Sequence, residues 1–358
     1  MAETSSVVSW DGETTFIGNT ANCSAGAVNV FNGSNASWKG KTSFASNIAS
    51  EGGAVVANAS CDVSWDGDTV FMDNHATYKG GGMLVDDYSN VSSTGSTTFV
   101  GNFAVDGGGL YIYCYSVGNW TGTTTFQSNA VDGYGGGLYV GQRSTISWNG
   151  VTTFESNVAN NGGALSIINA NVVWTGITLF ADNIAYQQAG AVYATLTYGI
   201  LCQGTTTFQN NTAVAGNGGA LSLVGAVSSG VSHVNISGET TFTNNSAFWL
   251  GGAIHSTANK FGEHFEEVEF RFNSARSGGA VAASDTGNGD DVTSSPTLFL
   301  RCRFISNKAI TSGGAVAAAS GREAFISSVF ESNSAGAMKG RSRQVCCIAT
   351  YRGPGTMG

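Results

Sequence analysis

The sequence predicts an all-β fold, a parallel β-helix. The pattern F-x-x-N recurs twelve times at steps of 26 to 34 residues, and nearly every copy is followed by a small-residue tripeptide such as G-G-A. A period of this size is typical of solenoids, in which each unit stacks on its neighbours because it cannot bury its apolar face alone. Identical strands that recur once per unit pair most naturally with their own copies, in parallel register. We therefore expect about twelve coils, each with three short strands.

Each F-x-x-N motif is expected to supply one buried ring and one turn amide. The rings should point inward and stack from coil to coil. The asparagines should sit where the chain turns, adopt left-handed geometry and bond backbone amides of their own and neighbouring coils. The expected phenylalanine spine is Phe16, Phe44, Phe71, Phe99, Phe126, Phe154, Phe180, Phe208, Phe242, Phe270, Phe304 and Phe330. The expected asparagine ladder is Asn19, Asn47, Asn74, Asn102, Asn129, Asn157, Asn183, Asn211, Asn245, Asn273, Asn307 and Asn333.

Two further motifs complete the expected coil. The Gly-Gly pair, as at Gly52 and Gly53, allows positive φ and a close approach to the facing sheet, and the run after it alternates with period two. The W-x-G motif supplies a bulky filler and a turn. It ends after Trp174, and Cys202 and Ile236 stand where the next tryptophans are due.

Composition excludes several classes of protein. The chain is 42% hydrophobic with only 2 prolines, which fits neither collagen nor a disordered segment. Residues 1–259 carry 15 acids against 4 bases, while residues 260–358 carry 9 acids against 11 bases. An acidic surface without a basic stripe repels phosphate, so nucleic acid is not an expected partner.

Cysteines and chain ends indicate the organisation of the chain. Its 7 cysteines form no C-x-x-C pair, so we expect no metal site and no cofactor, while disulfides between adjacent coils stay open. No signal peptide and no transmembrane segment is visible, although nine N-x-S/T sequons would suit a secreted chain. We expect a repeat domain over residues 1–338, a disordered basic tail over 339–358, and neighbouring domains that are missing from this chain.

Candidate catalytic groups are scattered along the predicted coils. Clustered carboxylates with a nearby base would indicate a polysaccharide lyase or hydrolase. The aspartates are expected to be solvated turn residues, and the glutamates between Glu263 and Glu269 a charged surface segment near Arg271 and Arg276. The four histidines are expected on the surface or in loops, without a serine or cysteine partner. No catalytic residue is therefore assigned.

A tyrosine stripe is the candidate contact surface. Tyr111, Tyr139 and Tyr193 follow the G-G-x positions and are expected to face outward on one sheet. Exposed aromatic rings in a row suit glycan or protein ligands. Packing of the same rings under the loops is the open alternative.

The combination of F-x-x-N with G-G-A-[ILV] resembles the repeats of the polymorphic outer membrane proteins known from chlamydiae, over residues 7 to about 338. The resemblance implies a right-handed β-helix of the pectate-lyase type that is displayed on, or released from, a cell surface and acts in adhesion. We accordingly expect a non-catalytic extracellular or cell-surface module that binds a glycan or a surface protein. A carbohydrate-active enzyme and a structural wall spacer are the alternatives.

Overall fold

The computed structural model is an all-β parallel solenoid of about 11 turns with three sheets, and its coils wind in the right-handed sense. It describes residues 5–195, 198–225, 233–257, 262–284, 297–318 and 323–336. The expected tail at 339–358, Cys346 and Cys347 lie outside the described residues. Every pairing between neighbouring strands is parallel, so the predicted solenoid and its parallel register are confirmed.

The Trp–Phe sheet has 22 strands, because each coil contributes a strand that ends near the tryptophan position and a strand that carries the spine phenylalanine. The Trp strands are Val7–Trp10, Asn35–Trp38, Asp62–Trp65, Asn90–Ser93, Val117–Trp120, Thr145–Trp148, Asn171–Trp174, Gly199–Cys202, Thr297–Leu300 and Glu323–Ile326. The Phe strands are Thr14–Ile17, Thr42–Ala45, Thr69–Met72, Ser96–Val100, Thr123–Gln127, Val151–Glu155, Ile177–Ala181, Thr206–Gln209, Arg303–Ile305 and Val329–Glu331. The two strands merge in His233–Thr243 and Glu263–Arg271.

The other two sheets have 11 strands each. The post-Asn sheet consists of Ile48–Glu51, His75–Lys79, Phe103–Ala104, Ala130–Val131, Val158–Asn161, Ile184–Gln188, Thr212–Ala213, Ser246–Ala247, Ser274–Ser277, Lys308–Ser312 and Ser334–Ala335. The GGA sheet consists of Val28–Phe31, Val55–Asn58, Met83–Val85, Leu110–Ile112, Leu138–Gly141, Leu165–Ile168, Val192–Thr195, Leu221–Val224, Ile254–Thr257, Val281–Ser284 and Val316–Ala318.

The three sequence runs that carry Trp, Phe and GGA do not correspond one to one with the three sides of the coil. The Trp and Phe runs share one side, and the third side is formed by the short strand that follows each ladder asparagine. This strand carries alanine at its inner position, as in Ala76, Ala104 and Ala159, which form a small cluster of their own. A strand of two to five residues with alanine inside has no apolar alternation, so the sequence pattern did not show it.

Aromatic rings fill the core along the solenoid axis. Consecutive spine phenylalanines stack with ring centroids 4.5 to 5.1 Å apart, as in Phe208 on Phe242 and Phe242 on Phe270. Phe330, in the last described coil, is partly exposed. Tryptophans occupy a second column, in which Cys202 pairs with Trp174 and Ile236 with Cys202. The expected substitution of tryptophan by smaller apolar residues is therefore present in the structure.

The ladder asparagines bond to one another across coils. The backbone amide and Nδ2 of Asn47 both donate to Oδ1 of Asn74, at 3.0 and 2.9 Å, and Nδ2 also donates to the carbonyl of Phe16 at 3.1 Å. The left-handed residue is the one before the asparagine, such as Ser46 at φ 53° or Ser156 at φ 55°, and not the asparagine as expected. The asparagine side chain bonds the turn, while its neighbour reverses the chain.

The Gly-Gly pair allows close approach of successive coils. Gly52 has φ 57°, and a Cβ on Gly53 would lie 2.1 Å from the carbonyl oxygen of Gly81 in the next coil. Backbone atoms cannot yield at that distance, so only glycine fits at this corner. The corner fixes where the GGA sheet begins and therefore which side chains lie on its outer face.

Candidate recognition surface beside the GGA sheet

The outer face of the GGA sheet carries Tyr111 and Tyr139 in direct register. Their rings stack with centroids 4.3 Å apart and an interplanar angle of 2°. The two side chains are nevertheless only 3% and 8% exposed, and Tyr113, Tyr134 and Ile168 pack against them. The expectation of an exposed stripe is wrong for Tyr111 and Tyr139, because side chains from the neighbouring turns cover the short strands.

Tyr193 continues the same row but does not touch the stacked pair. Ser166 lies between Tyr139 and Tyr193 in the sheet register. The half-buried ring of Tyr193 instead lies 5.9 Å from the ring of Tyr134, at an angle of 41°. The three predicted stripe residues are thus on one face, but only Tyr193 retains part of its surface for a ligand.

Lys79 lies over the covered tyrosines. Its Nζ is 5.2 Å from the ring centroid of Tyr111 and 5.3 Å from that of Tyr113, which is the range of a cation–π interaction. The hydroxyl of Tyr113 donates to Oε1 of Gln142 at 2.9 Å. These contacts hold Lys79 and Tyr113, which cover the stacked tyrosines, in place across three coils.

Burial shapes the electrostatics of this face. Desolvation raises the pKa of Tyr111 and of Tyr139, so both hydroxyls stay protonated. Desolvation also raises the pKa of Asp106, against a backbone hydrogen bond from Tyr134 at 2.8 Å and the charge of Lys79, which lower it. Asp86 behaves in the same way, since its burial is the main cause of a raised pKa.

Exposed aromatic residues lie at the adjacent corner, where the chain passes from the GGA sheet to the Trp strands. The rings of Tyr88 and Tyr115 stack with centroids 5.0 Å apart and an interplanar angle of 2°. Arg143 donates from Nη1 to the hydroxyl of Tyr115 at 3.1 Å and from Nε to the hydroxyl of Tyr198 at 3.0 Å. Tyr88 is 56% and Tyr115 is 38% exposed. We call Tyr88, Tyr115, Arg143 and Tyr198 the tyrosine corner.

The backbone at this corner is left-handed, as it is at Ala59 and Ser60 in the equivalent turn of a neighbouring coil. Tyr88, Tyr115 and Arg143 have φ of 60°, 61° and 61°, and each follows another residue with positive φ. Bulky side chains disfavour this region, at a cost of about 1–3 kcal/mol per residue. The corner lies in turns, which strand patterns do not report, so the sequence did not predict it. Aligning the two residues that end each GGA-to-Trp turn would have brought Tyr88, Tyr115 and Arg143 into one column.

The candidate acids do not converge on one site. Glu266 and Glu267 pair with Arg301, and Glu269 pairs with Arg271 and Arg303. These arginines, rather than Arg276, are the partners of the glutamate segment. Among the described residues, no group of three or more His, Cys, Asp or Glu side chains is arranged to hold a metal ion.

His255 departs from the expectation of a surface residue. It lies in the outer row of the GGA sheet, is only 3% exposed, and has Nδ1 3.4 Å from Oγ of Ser222. The Ser222 hydroxyl donates instead to Oε1 of Gln188 at 2.9 Å. Burial lowers the pKa of His255 to about 4. Because both side chains are buried, the pair does not present an exposed nucleophile.

Two further observations concern the cysteines and the search for a membrane-spanning helix. Cys23, Cys61, Cys114, Cys202 and Cys302 are free thiols in the described part of the chain. Over the same residues, the structure contains no helix with the length and apolar character needed to cross a bilayer.

Residues 205–223 and 239–257 match the family model described as Chlamydia polymorphic membrane protein (Chlamydia_PMP) repeat. Each matched segment runs from a Phe strand through a ladder asparagine to a GGA strand, and so spans the structural unit described above. No curated protein and no solved structure matches the chain. Two coils of this parallel β-helix therefore match the chlamydial polymorphic membrane protein repeat.

Proposed function

We propose that this chain is a non-catalytic, surface-exposed repeat protein that recognises a glycan or a protein through the tyrosine corner. The carrying observation is that Arg143 is held by two tyrosine hydroxyls beside a stacked, exposed tyrosine pair. Tyrosine and arginine supply large contact areas and are enriched at binding hot spots. Their hydrogen bonds and stacking fix the side chains before a ligand arrives, which reduces the entropy lost on binding.

The strained backbone at the corner supports the same proposal. A turn that required only left-handed geometry would be satisfied by glycine or asparagine. Tyr88, Tyr115 and Arg143 occupy such positions, whereas the equivalent turns of the two preceding coils carry Gly33 and Ser60. We take the retention of bulky side chains there as support for a role in contact with a partner.

The proposed location is extracellular or on a cell surface. It rests on the match to a membrane-protein repeat and on the elongated solenoid, which suits display of a long side surface. Adhesion is the activity that such a surface supports best.

A carbohydrate-active enzyme is the first alternative, and the arrangement of acids favours it less. The glutamates at 266, 267 and 269 are paired with arginines, and Asp106 accepts a hydrogen bond from a backbone amide. A structural spacer is the second alternative. It would need only the stacked core and no particular surface residue.

Binding assays with matched variants test the proposal. Wild-type chain is applied to a glycan array and to immobilised extracellular-matrix proteins, beside the double variant Tyr88→Ala/Tyr115→Ala and the control Ile177→Ala, whose side chain is equally exposed on a Phe strand. We expect at least about a 10-fold loss of affinity in the double variant, at an unchanged melting temperature, because the contact area at the corner is removed. The control should bind as the wild type does.

Three other results would contradict the proposal. Unchanged binding by the double variant would remove the corner from consideration. Absence of binding to any glycan or protein would favour the spacer. Release of unsaturated products from a polyuronate in the presence of calcium would favour the lyase.

A further inference from the structure

The outer face of the post-Asn sheet carries large exposed apolar side chains at intervals from its first strand to its tenth. Large hydrophobic side chains that project from it include Ile48, Phe103, Ile184, Tyr186, Phe248 and Ile310. Tyr186 and Phe248 are each 55% exposed and Ile310 is 68% exposed. An exposed apolar face of this kind marks an interaction surface.

Glu51 and Lys79, at the ends of the first and second strands, are neighbours in register, and the remaining charges on this face include one acid and two bases. Asp132 is exposed directly after the fourth strand, while Arg276 lies on the ninth strand and Lys308 begins the tenth. The guanidinium of Arg276 lies 4.9 Å from the ring of Trp249, which holds it over the apolar surface. Asp132 and Arg276 lie at equal distances on either side of the boundary between the sixth and seventh strands, so these two charges are complementary when the face is reversed.

A two-fold axis between the sixth and seventh strands satisfies this complementarity. It places the fourth strand of one copy opposite the ninth of the other, and so brings Asp132 opposite Arg276. The third strand then meets the tenth, which brings Phe103 and Val105 near Ile310. A self-complementary patch with a two-fold axis is the geometry of an isologous dimer.

The size of the face is sufficient for such a dimer. The second to the eleventh strands overlap about this axis, so nine intervals of about 4.8 Å give a length of roughly 43 Å, and strands of about four residues give a width of roughly 13 Å. Each copy then contributes roughly 560 Å², or about 1,100 Å² in total, which is above the roughly 1,000 Å² expected of a specific interface. We therefore infer that two copies of this chain associate in antiparallel orientation through the outer faces of their post-Asn sheets.

The inference is independent of the proposed recognition surface. The tyrosine corner lies between the GGA sheet and the Trp strands, and this is the one corner of the coil that the post-Asn sheet does not touch. Dimerisation leaves it accessible on both copies and presents two recognition surfaces.

Sedimentation velocity of the full chain over a concentration series tests the dimer. We expect a monomer–dimer equilibrium, weakened at least about 10-fold by Phe248→Lys or Ile310→Lys, since each buries a charge in the interface. Phe31→Lys is the matched control, because Phe31 is also 55% exposed but lies on a GGA strand. The melting temperature of each variant checks that the fold is intact.

A charge exchange tests the antiparallel register. Asp132→Arg should weaken the dimer, and the double variant Asp132→Arg/Arg276→Asp should restore it, because the opposed pair is re-formed with reversed signs. A double variant that stays as weak as the single one would overturn the register.

Other outcomes would overturn the dimer itself. One is a chain that remains monomeric up to about 100 μM, because the dissociation constant expected for an interface of this size is lower. The other is a dimer that survives both lysine substitutions. A full-length monomer whose version shortened to residue 336 dimerises would assign the face to residues 337–358 instead.

Discussion

Asn102 and Asn129 are joined by two hydrogen bonds that share one acceptor. The backbone amide and Nδ2 of Asn102 donate to Oδ1 of Asn129, at 3.0 and 2.9 Å. Asn129 repeats the pattern toward Asn157 and also donates to the carbonyl of Phe99 at 2.9 Å. Each ladder residue therefore both donates to the next coil and accepts from the preceding one, which couples every turn of the solenoid to its neighbours.

Truncation of one ladder residue should be strongly destabilising. Asn129→Ala leaves the amide and one Nδ2 hydrogen of Asn102 without an acceptor in a buried site. An unsatisfied buried polar group costs about 1–3 kcal/mol, so we expect a loss of about 3–5 kcal/mol in the free energy of unfolding, measured by chemical denaturation. Asn119→Ala, at an exposed position, should change stability by less than about 0.5 kcal/mol. Equal effects at the two sites would contradict the ladder.

At the left-handed residue before a ladder asparagine, glycine and valine substitutions should change the stability of the protein in opposite directions. Ser156 has φ 55° and an exposed side chain. Ser156→Gly should stabilise the protein by about 0.5 kcal/mol, because relief of about 1–2 kcal/mol of strain exceeds the added entropy of the unfolded chain. Ser156→Val should destabilise it by at least about 1 kcal/mol, since β-branching is worst at positive φ.

Thr153→Val is the matched control for this pair, because it introduces the same side chain on the outer face of a regular strand. We expect a change within about 0.5 kcal/mol. A Val substitution tolerated equally at 153 and 156, in thermal and denaturant unfolding, would show that the turn geometry is not the cause.

Burial of the stacked tyrosines changes what their substitution should do. Tyr139→Ala removes a ring that is 8% exposed and stacked on Tyr111, so we expect a loss of about 3 kcal/mol and a lower melting temperature. Tyr139→Phe keeps the ring and should cost about 1 kcal/mol or less. A Tyr139→Ala variant with unchanged stability would show that the rings are exposed after all.

Repetition explains why so much of the architecture could be predicted. The order of Phe208, Asn211 and a following glycine, which recurs in nearly every coil, indicates parallel stacking without any knowledge of turns. The burial of Tyr111 depends on Lys79, Tyr113 and other side chains from neighbouring turns, where the sequence does not repeat. The tyrosine corner likewise depends on turn residues with positive φ, which no strand pattern reports.

His255 should make stability depend on pH. Its pKa is about 4 in the folded protein because burial disfavours the charged imidazolium, against about 6.5 in an unfolded chain. Between these values the unfolded state binds more protons, so stability is fully present above about pH 6.5 and falls as the pH is lowered toward 4. The loss should reach about 3 kcal/mol at the acid end of this window.

Denaturation midpoints at pH 7.5 and 4.5 for the wild type and His255→Gln test this expectation. The difference between the two proteins isolates the histidine, because Asp86 and Asp106, whose pKa values are also raised, titrate in both. His255→Gln should lose less stability on acidification, whereas His75→Gln, at an exposed site, should follow the wild type. The expectation fails if His255→Gln loses as much stability as the wild type, since the acid sensitivity would then arise from the carboxylates.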